Sequence, residues 1–174
     1  MFCGLSAFAG TVSYSTSGTF GGTDLTGSNT LANGSATISY VGSGSQTVTA
    51  PTGINIGQFV VTGGTGDFTN DSFTLTVNQT APSVGSGSTG IASITGSVTS
   101  TSNSIEVIFS PTTFNIGQVT YNLQTSTYFL VAPNTNGGVT SLQANVVSPE
   151  PASLGLIGAS LVGLGLAYRR RFAK

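Results

Sequence analysis

Histidine and tryptophan are absent from this 174-residue chain, and Cys3 is its only cysteine. A single cysteine excludes an intrachain disulfide and a cysteine-based metal cluster. Without histidine, the chain also lacks the side chain that most often acts as a general base near neutral pH. Any chemistry would have to rest on carboxylates, hydroxyls or amides.

Basic residues are confined to one end of the sequence. All four lie in the last six positions, as Arg169, Arg170, Arg171 and Lys174. Proteins that bind nucleic acid use lysine and arginine to neutralise phosphates, and residues 1–168 contain neither. Charged residues make up 5% of the chain, against about 25% in an ordinary soluble protein. We therefore exclude nucleic acid as a partner and expect a neutral, Thr-rich surface.

Acidic residues are nearly as scarce, and before the tail only Asp67 and Asp71 lie close together in sequence. Carboxylate oxygens bind Ca²⁺, so this pair is a weak calcium candidate; the spacing is not that of an EF-hand, and an exposed polar loop is the alternative. A glycosidase pair of Asp71 and Glu106 is a further alternative. We expect no catalytic residue and no cofactor, and hence a protein that is not an enzyme.

Alternating apolar residues predict strands over most of the chain, since period two places one face of a strand on a core. Glycine and asparagine clusters such as Asn33-Gly34 and Asn136-Gly137-Gly138 separate these strands and suit tight turns. The pattern predicts an all-β fold over residues 10–147, an antiparallel β-sandwich or a barrel-like domain. The apolar residues that step by two are Val12 and Tyr14; Ile38 and Tyr40; Phe59 and Val61; Phe73, Leu75 and Val77; Ile105, Val107 and Phe109; Val119, Tyr121 and Leu123; Leu142, Ala144 and Val146.

A short repeat lies within this region. Residues 51–58 (PTGINIGQ) recur as residues 111–118 (PTTFNIGQ), offset by 60 positions. Each copy suggests a strand, a proline-initiated turn and a second strand, so we predict two similar hairpin-like units in related places of the fold. A ligand-binding role of the paired Asn-Ile-Gly-Gln is the alternative.

The first nine residues are apolar and end in Ala7-Phe8-Ala9, which has the small-x-small form of a secretory cleavage site. We interpret residues 1–9 as the remnant of a signal peptide, with a short apolar first strand as the alternative. The interpretation predicts that the β-rich region is extracytoplasmic.

The last 27 residues, 148–174, differ in kind from the rest. Pro149-Glu150-Pro151 is followed by the uncharged segment 152–168 and then by the basic end 169–174. Seventeen helical residues span roughly 25 Å, so the segment predicts a short transmembrane helix. Arginines at its end would remain cytoplasmic, which places the β-rich region on the opposite face of the inner membrane. The two prolines predict an extended, accessible segment before the membrane, as a processing site requires.

Small residues recur every four positions in this helix, at Gly155, Ala159, Gly163 and Ala167. Such a stripe allows another transmembrane helix to approach closely. We regard it as a possible helix-packing face, although small residues are common in membrane helices in any case.

The tail resembles the PEP-CTERM sorting signal of Gram-negative bacteria in three parts: Pro149-Glu150-Pro151, a single helix, and Arg169-Arg170-Arg171. The resemblance implies that the chain is a substrate of exosortase, a membrane enzyme with a cysteine nucleophile, often found in bacteria that make exopolysaccharide. It covers the tail only. The region before it is similar to the Thr- and Gly-rich β-domains often attached to such tails.

Together these features predict an exported structural protein of the cell surface or extracellular matrix, first anchored in the inner membrane. The alternatives are a glycan- or calcium-binding surface module, or an unprocessed single-span membrane protein. Lysine is absent from every predicted strand, although natural β-proteins commonly protect exposed edges with charge. Self-association is therefore a further hypothesis, and exopolysaccharide a possible partner.

Overall fold

The computed structural model describes residues 10–27, 29–88, 92–99, 101–148, 158–165 and 168. Strands occupy most of the chain between Thr11 and Val147, and a short 3-10 helix, Asn136–Gly138, precedes the last strand. The strands are β1 (Thr11–Gly21), β2 (Leu25–Gly27), β3 (Thr30–Asn33), β4 (Ala36–Gly42), β5 (Gln46–Thr49), β6 (Thr52–Gly63), β7 (Gly66–Ala81), β8 (Gly85–Ser88), β9 (Ala92–Val98), β10 (Glu106–Ile108), β11 (Thr113–Ile116), β12 (Val119–Leu123), β13 (Thr127–Phe129) and β14 (Val139–Val147).

The strands form two seven-stranded sheets. Sheet A has the order β13-β10-β9-β7-β1-β5, with β8 also paired to β7, and sheet B has the order β11-β12-β14-β6-β4-β3-β2. Every pairing between these named strands is antiparallel. The predicted all-β antiparallel fold is confirmed, as two sheets that enclose one core.

Apolar side chains of both sheets meet in that core. All the residues that step by two in the sequence are buried, as the strand period predicted. Phe73 lies at the centre of an aromatic cluster, where its ring centroid is 4.8 Å from that of Phe59 and 4.9 Å from those of Phe20 and Tyr40. Ring pairs at such distances and tilted geometries add to the stabilisation that burial provides.

A buried polar contact also joins the sheets. The hydroxyl of Tyr121 on β12 donates to Gln79 Oε1 on β7 at 2.9 Å, and Gln79 Nε2 donates to the Ser83 carbonyl at 2.8 Å. Gln79 is 1% exposed, so these partners satisfy a side chain that would otherwise be costly to bury. Burial raises the pKa of Tyr121 to about 12.

Each copy of the repeat runs, as predicted, from a strand through a proline turn to a second strand, from β5 to β6 at Pro51 and from β10 to β11 at Pro111. In both copies the chain passes from sheet A to sheet B, so the two strands are not paired with each other as a hairpin. The copies differ at the shared glycine. In the second copy of the repeat, Gly117 (φ 60°) lies in the tight turn that joins β11 to β12 at an edge of sheet B. In the first copy, Gly57 (φ 128°) lies inside β6, where pairing with β14 shifts register around it. β6 is paired on both sides and continues through this bulge, whereas β11 has one neighbour and turns back. Flanking strands, rather than the shared sequence, decide whether the glycine turns the chain.

The C-terminal part of the structure is helical. Residues 158–165 and 168 are helical, within the segment for which a transmembrane helix was predicted. In the part of the chain that the structure describes, no helix is both long enough and apolar enough to cross a membrane. Residues 152–157, 166 and 167 of the predicted span lie outside the described residues, as do residues 1–9 of the predicted signal-peptide remnant.

Candidate functional site

The predicted sorting tail is described only in its helical part. The motif residues Pro149, Glu150 and Pro151 and the basic residues Arg169, Arg170 and Arg171 lie outside the described residues. Of the possible packing face, Ala159 and Gly163 are described, and both are exposed on the helix, whereas Gly155 and Ala167 lie outside.

Large apolar side chains on the same helix are exposed as well. Leu161 and Val162 are each 64% exposed and Leu164 is 68% exposed. An exposed apolar patch of this kind is suited to contact with another apolar surface, such as lipid or a second helix. The described part of the tail thus exposes an apolar surface.

The two residues of the weak calcium candidate lie on opposite faces of β7. Asp67 is exposed on the outer face, whereas Asp71 is 3% exposed on the core side. Between them, pairing of β7 with β9 shifts register, and Asn70 adopts a left-handed conformation (φ 57°). The extra residue of this bulge turns the Asp71 side chain inward. The structure therefore does not bring Asp67 and Asp71 together.

The Asp71 side chain instead contacts Asp24, which lies in the turn between β1 and β2. The backbone N–H of Asp24 donates to Asp71 Oδ1 at 3.1 Å. The Asp24 carboxylate accepts from Asn33 Nδ2 at 3.0 Å. Burial raises the pKa of Asp71, and the adjacent negative charge of Asp24 raises it further.

One oxygen of this carboxylate pair has no partner. Asp71 Oδ2 is buried and has no hydrogen-bond donor among the described residues. No group of three or more cysteine or acidic side chains that could hold a metal occurs in the described residues. The site accordingly has two carboxylates and a set of backbone groups, and no third acidic side chain.

Glu106 does not approach this pair. It lies on β10 opposite Thr95 of β9, whereas Asp71 lies opposite Ile94. Successive residues of a strand point to opposite faces, so Glu106 lies on the outer face of sheet A and Asp71 on the core face. The two carboxylates of the glycosidase alternative do not share a site.

An open groove of about 500 Å³ lies where β1 and β5 of sheet A meet β4 and β6 of sheet B. Its walls carry the side-chain amides of Gln46, Asn55 and Gln58, with the apolar Val41 and Val48 beside them. None of the residues that line it is charged. The groove therefore presents hydrogen-bonding groups without a net charge.

Hydroxyl groups hold the walls of this groove in place. The Tyr14 hydroxyl donates to the Asn55 carbonyl at 3.1 Å, and Ser43 Oγ donates to the same carbonyl at 2.8 Å. Below them Thr16 Oγ1 donates to the Ile56 carbonyl at 2.7 Å. Asn55 Oδ1 accepts from the Gly57 N–H at 2.8 Å, so this asparagine of the repeat serves the backbone and leaves its NH₂ group for other partners.

Sequence analysis missed both the Asp24–Asp71 pair and the groove. Asp24 is 47 positions from Asp71, and the groove draws residues from four strands of two sheets. One sequence feature could have indicated the pair. Asp24 is a lone carboxylate near glycines in a region that otherwise has no charged residue.

Comparison with known protein families identifies the tail as a sorting motif. Residues 149–171 match the family model of the PEP-CTERM protein-sorting motif. Neither the curated proteins nor the solved structures include a significant match to the chain. The motif is a sorting signal that exosortase-type enzymes recognise, and it contains the Pro-Glu-Pro and arginine residues identified from the sequence. The chain therefore carries a PEP-CTERM protein-sorting motif at residues 149–171, a signal that implies export.

Proposed function

We propose that this chain is a non-enzymatic structural protein of the bacterial cell surface or extracellular matrix, delivered through its sorting motif and processed by exosortase. The observation that carries the proposal is the motif match at residues 149–171. In this proposal the helix that includes residues 158–165 holds the protein in the inner membrane before processing. The arginines stay cytoplasmic by the positive-inside rule, so the β-sandwich faces away from the cytoplasm.

Intact-mass measurement of the envelope-associated protein tests this proposal. In cells that contain exosortase we expect a product without residues after Pro151, and in cells without the enzyme the tail should be retained. Glu150→Ala should strongly reduce processing, because it removes the only charge of the Pro149-Glu150-Pro151 segment, whereas Glu106→Ala on β10 should leave it unchanged. A mature protein that keeps its arginines in the presence of exosortase would refute the assignment.

The outer surface of the sandwich supports a structural role. At one edge of sheet A, the short strand β13 exposes Phe129 (64% exposed), which lies opposite Glu106 of β10, and Ile108 of β10 is 38% exposed. No lysine or arginine occurs in residues 10–148 to protect this edge. Pairing of such edges between copies would build an assembly, which concentration-dependent sedimentation of the purified chain would reveal. A chain that stays monomeric at high concentration would exclude self-association.

The groove supports a second candidate function, the binding of a neutral polysaccharide such as an exopolysaccharide. Amide groups donate hydrogen bonds to sugar hydroxyls and accept from them, and the uncharged lining suits a ligand without charge. The open shape of the groove leaves room for an extended chain.

Retention of the full chain on an immobilised neutral polysaccharide tests this candidate. Replacing both Gln46 and Gln58 with alanine should lower the affinity about tenfold, since two hydrogen-bonding groups are lost. The Gln143→Ala variant, changed at an exposed amide on β14 outside the groove, is the control and should bind as the parent does. Equal retention of the double variant and the parent would exclude the groove as the binding site.

A further inference from the structure

The sorting motif follows the sandwich with almost no connecting segment. Val147 is the last residue of β14 and pairs with Thr120 of β12, and only Ser148 separates it from Pro149. The segment predicted to span the membrane begins at residue 152, so five residue steps join it to Val147 and reach at most about 18 Å. The polar headgroup layer takes up about 5–7 Å of this length. One end of the sandwich therefore lies close to the surface of any bilayer that the helix spans.

The turn between β11 and β12 projects from this end of the sandwich. Because β12 is antiparallel to β14 and Thr120 lies opposite Val147, Val119 and the Gly117-Gln118 turn lie past the level of Val147. Val147 itself is 49% exposed. The turn thus extends into the space between the end of β14 and the membrane.

The loop between β7 and β8 lies against the same turn. A Cβ atom added at Gly117 would be 2.7 Å from Ser83 Oγ, and one added at Gly85 would be 3.0 Å from Ile116 of β11. Val84 lies between Ser83 and Gly85 and is 86% exposed. This end of the sandwich therefore presents an apolar side chain beside the turn that projects from it.

Charge is distributed unevenly between the two ends of the sandwich. The pairing of β1 with β7 runs from Ala81, next to this loop, to Ser72 at the far end. Nine residue steps separate these two positions, a distance of roughly 30 Å. All the carboxylates of the described residues lie beyond Ser72, and they are Asp24, Asp67, Asp71 and Glu106. Anionic lipid headgroups repel carboxylates, so the end without them is the one suited to a membrane surface.

We propose that the end of the sandwich formed by the Gly117-Gln118 turn, the loop at Ser83 and Val84, and Val147 lies against the phospholipid headgroups of the inner membrane before processing. We call it the membrane-facing end. The inference rests on the proposed function, in which the helix that includes residues 158–165 spans that membrane. It adds the orientation of the sandwich, and it places the Pro149-Glu150-Pro151 segment in a narrow gap that exosortase has to enter.

A single introduced tryptophan tests this orientation, because the chain contains none of its own. Val84→Trp places the probe at the membrane-facing end, and Leu25→Trp, at a position that is 44% exposed on β2, is the matched control at the far end. The full-length variants are reconstituted in vesicles of phosphatidylethanolamine and phosphatidylglycerol that also contain phosphatidylcholine with a nitroxide quencher on its headgroup. We expect Val84→Trp to lose most of its emission and Leu25→Trp to keep it, since the length of the sandwich separates the control from the headgroups.

Flotation and carbonate extraction of the same vesicles separate failure of this inference from failure of the proposed function. Protein that floats with the vesicles and resists extraction has inserted its helix. Equal quenching of the two inserted variants would overturn the inference and leave the proposed function intact, whereas protein that does not insert would overturn both.

A longer connection tests whether the short one holds the membrane-facing end in place. About ten glycine and serine residues inserted after Ser148 form a flexible linker that frees the sandwich from the surface. We expect the emission of Val84→Trp to recover in this background. Quenching that persists would overturn the short connection as the cause of the contact.

Discussion

Replacing Phe73 with alanine is expected to lower the free energy of unfolding by about 3–5 kcal/mol, the usual cost of removing a buried aromatic ring. Phe73 is fully buried on β7, and its ring contacts those of Phe20, Tyr40 and Phe59 at centroid distances of 4.8 to 4.9 Å. These rings come from both sheets, so the cavity left by the substitution would open at their interface. Urea denaturation followed by circular dichroism measures the loss.

Phe129→Ala provides the matched control for this prediction. Phe129 is 64% exposed on the edge strand β13, so its removal creates no cavity and should change the free energy of unfolding by less than about 1 kcal/mol. Similar losses for the two variants would contradict the packing described for the core.

Gly18→Ala is expected to destabilise the fold by about 1–3 kcal/mol, as overpacking of a filled core does. A Cβ atom at Gly18 would lie 2.4 Å from Phe73 Cζ and 2.5 Å from Tyr40 Cδ1. Both rings are held by aromatic neighbours, so neither can withdraw easily. In an unconstrained strand position the same substitution would stabilise the protein slightly, because alanine loses less backbone entropy on folding than glycine.

Two further variants separate this clash from a general effect of losing glycine. Gly44→Ala adds a Cβ with no atom within 4 Å and should change stability by less than about 1 kcal/mol. Phe73→Leu removes the ring atom that the new Cβ would strike, so in that background Gly18→Ala should cost less than in the parent. Additive losses in the double variant would show that the Phe73 ring is not the obstacle and would leave Tyr40 as the group that the new Cβ strikes. Thermal or urea unfolding of the parent, the three single variants and the double variant provides the measurement.

Much of the fold could be predicted from the chain because period-two alternation is a local signal. Phe73, Leu75 and Val77 point inward whichever strands flank β7, since a half-buried strand must place alternate residues on the core. The repeat shows that a local sequence pattern does not decide how strands pair. Gly57 and Gly117 have the same local sequence, yet one lies in a bulge and the other in a turn because their strands have different neighbours.

The sorting motif could be recognised from sequence for a similar reason. Its parts, Pro149-Glu150-Pro151, an apolar segment and Arg169-Arg170-Arg171, follow one another directly, so no tertiary contact is needed to bring them together. The Asp24–Asp71 pair could not be found in this way, because the two residues are joined only by the packing of the first turn against the β7 bulge.

By itself, the sequence determined that the chain is an all-β protein without basic residues before its tail, and that the tail is a PEP-CTERM signal. Composition is a property of the sequence alone, and contiguous motifs depend only on neighbouring residues. Only the tertiary structure decided that the strands form two sheets and that residues of four strands line an uncharged groove. It also decided that the Asp71 side chain points away from Asp67 and toward Asp24. Contacts across 40 or more positions depend on strand order and on bulges, and these follow from packing of the whole core rather than from any local pattern.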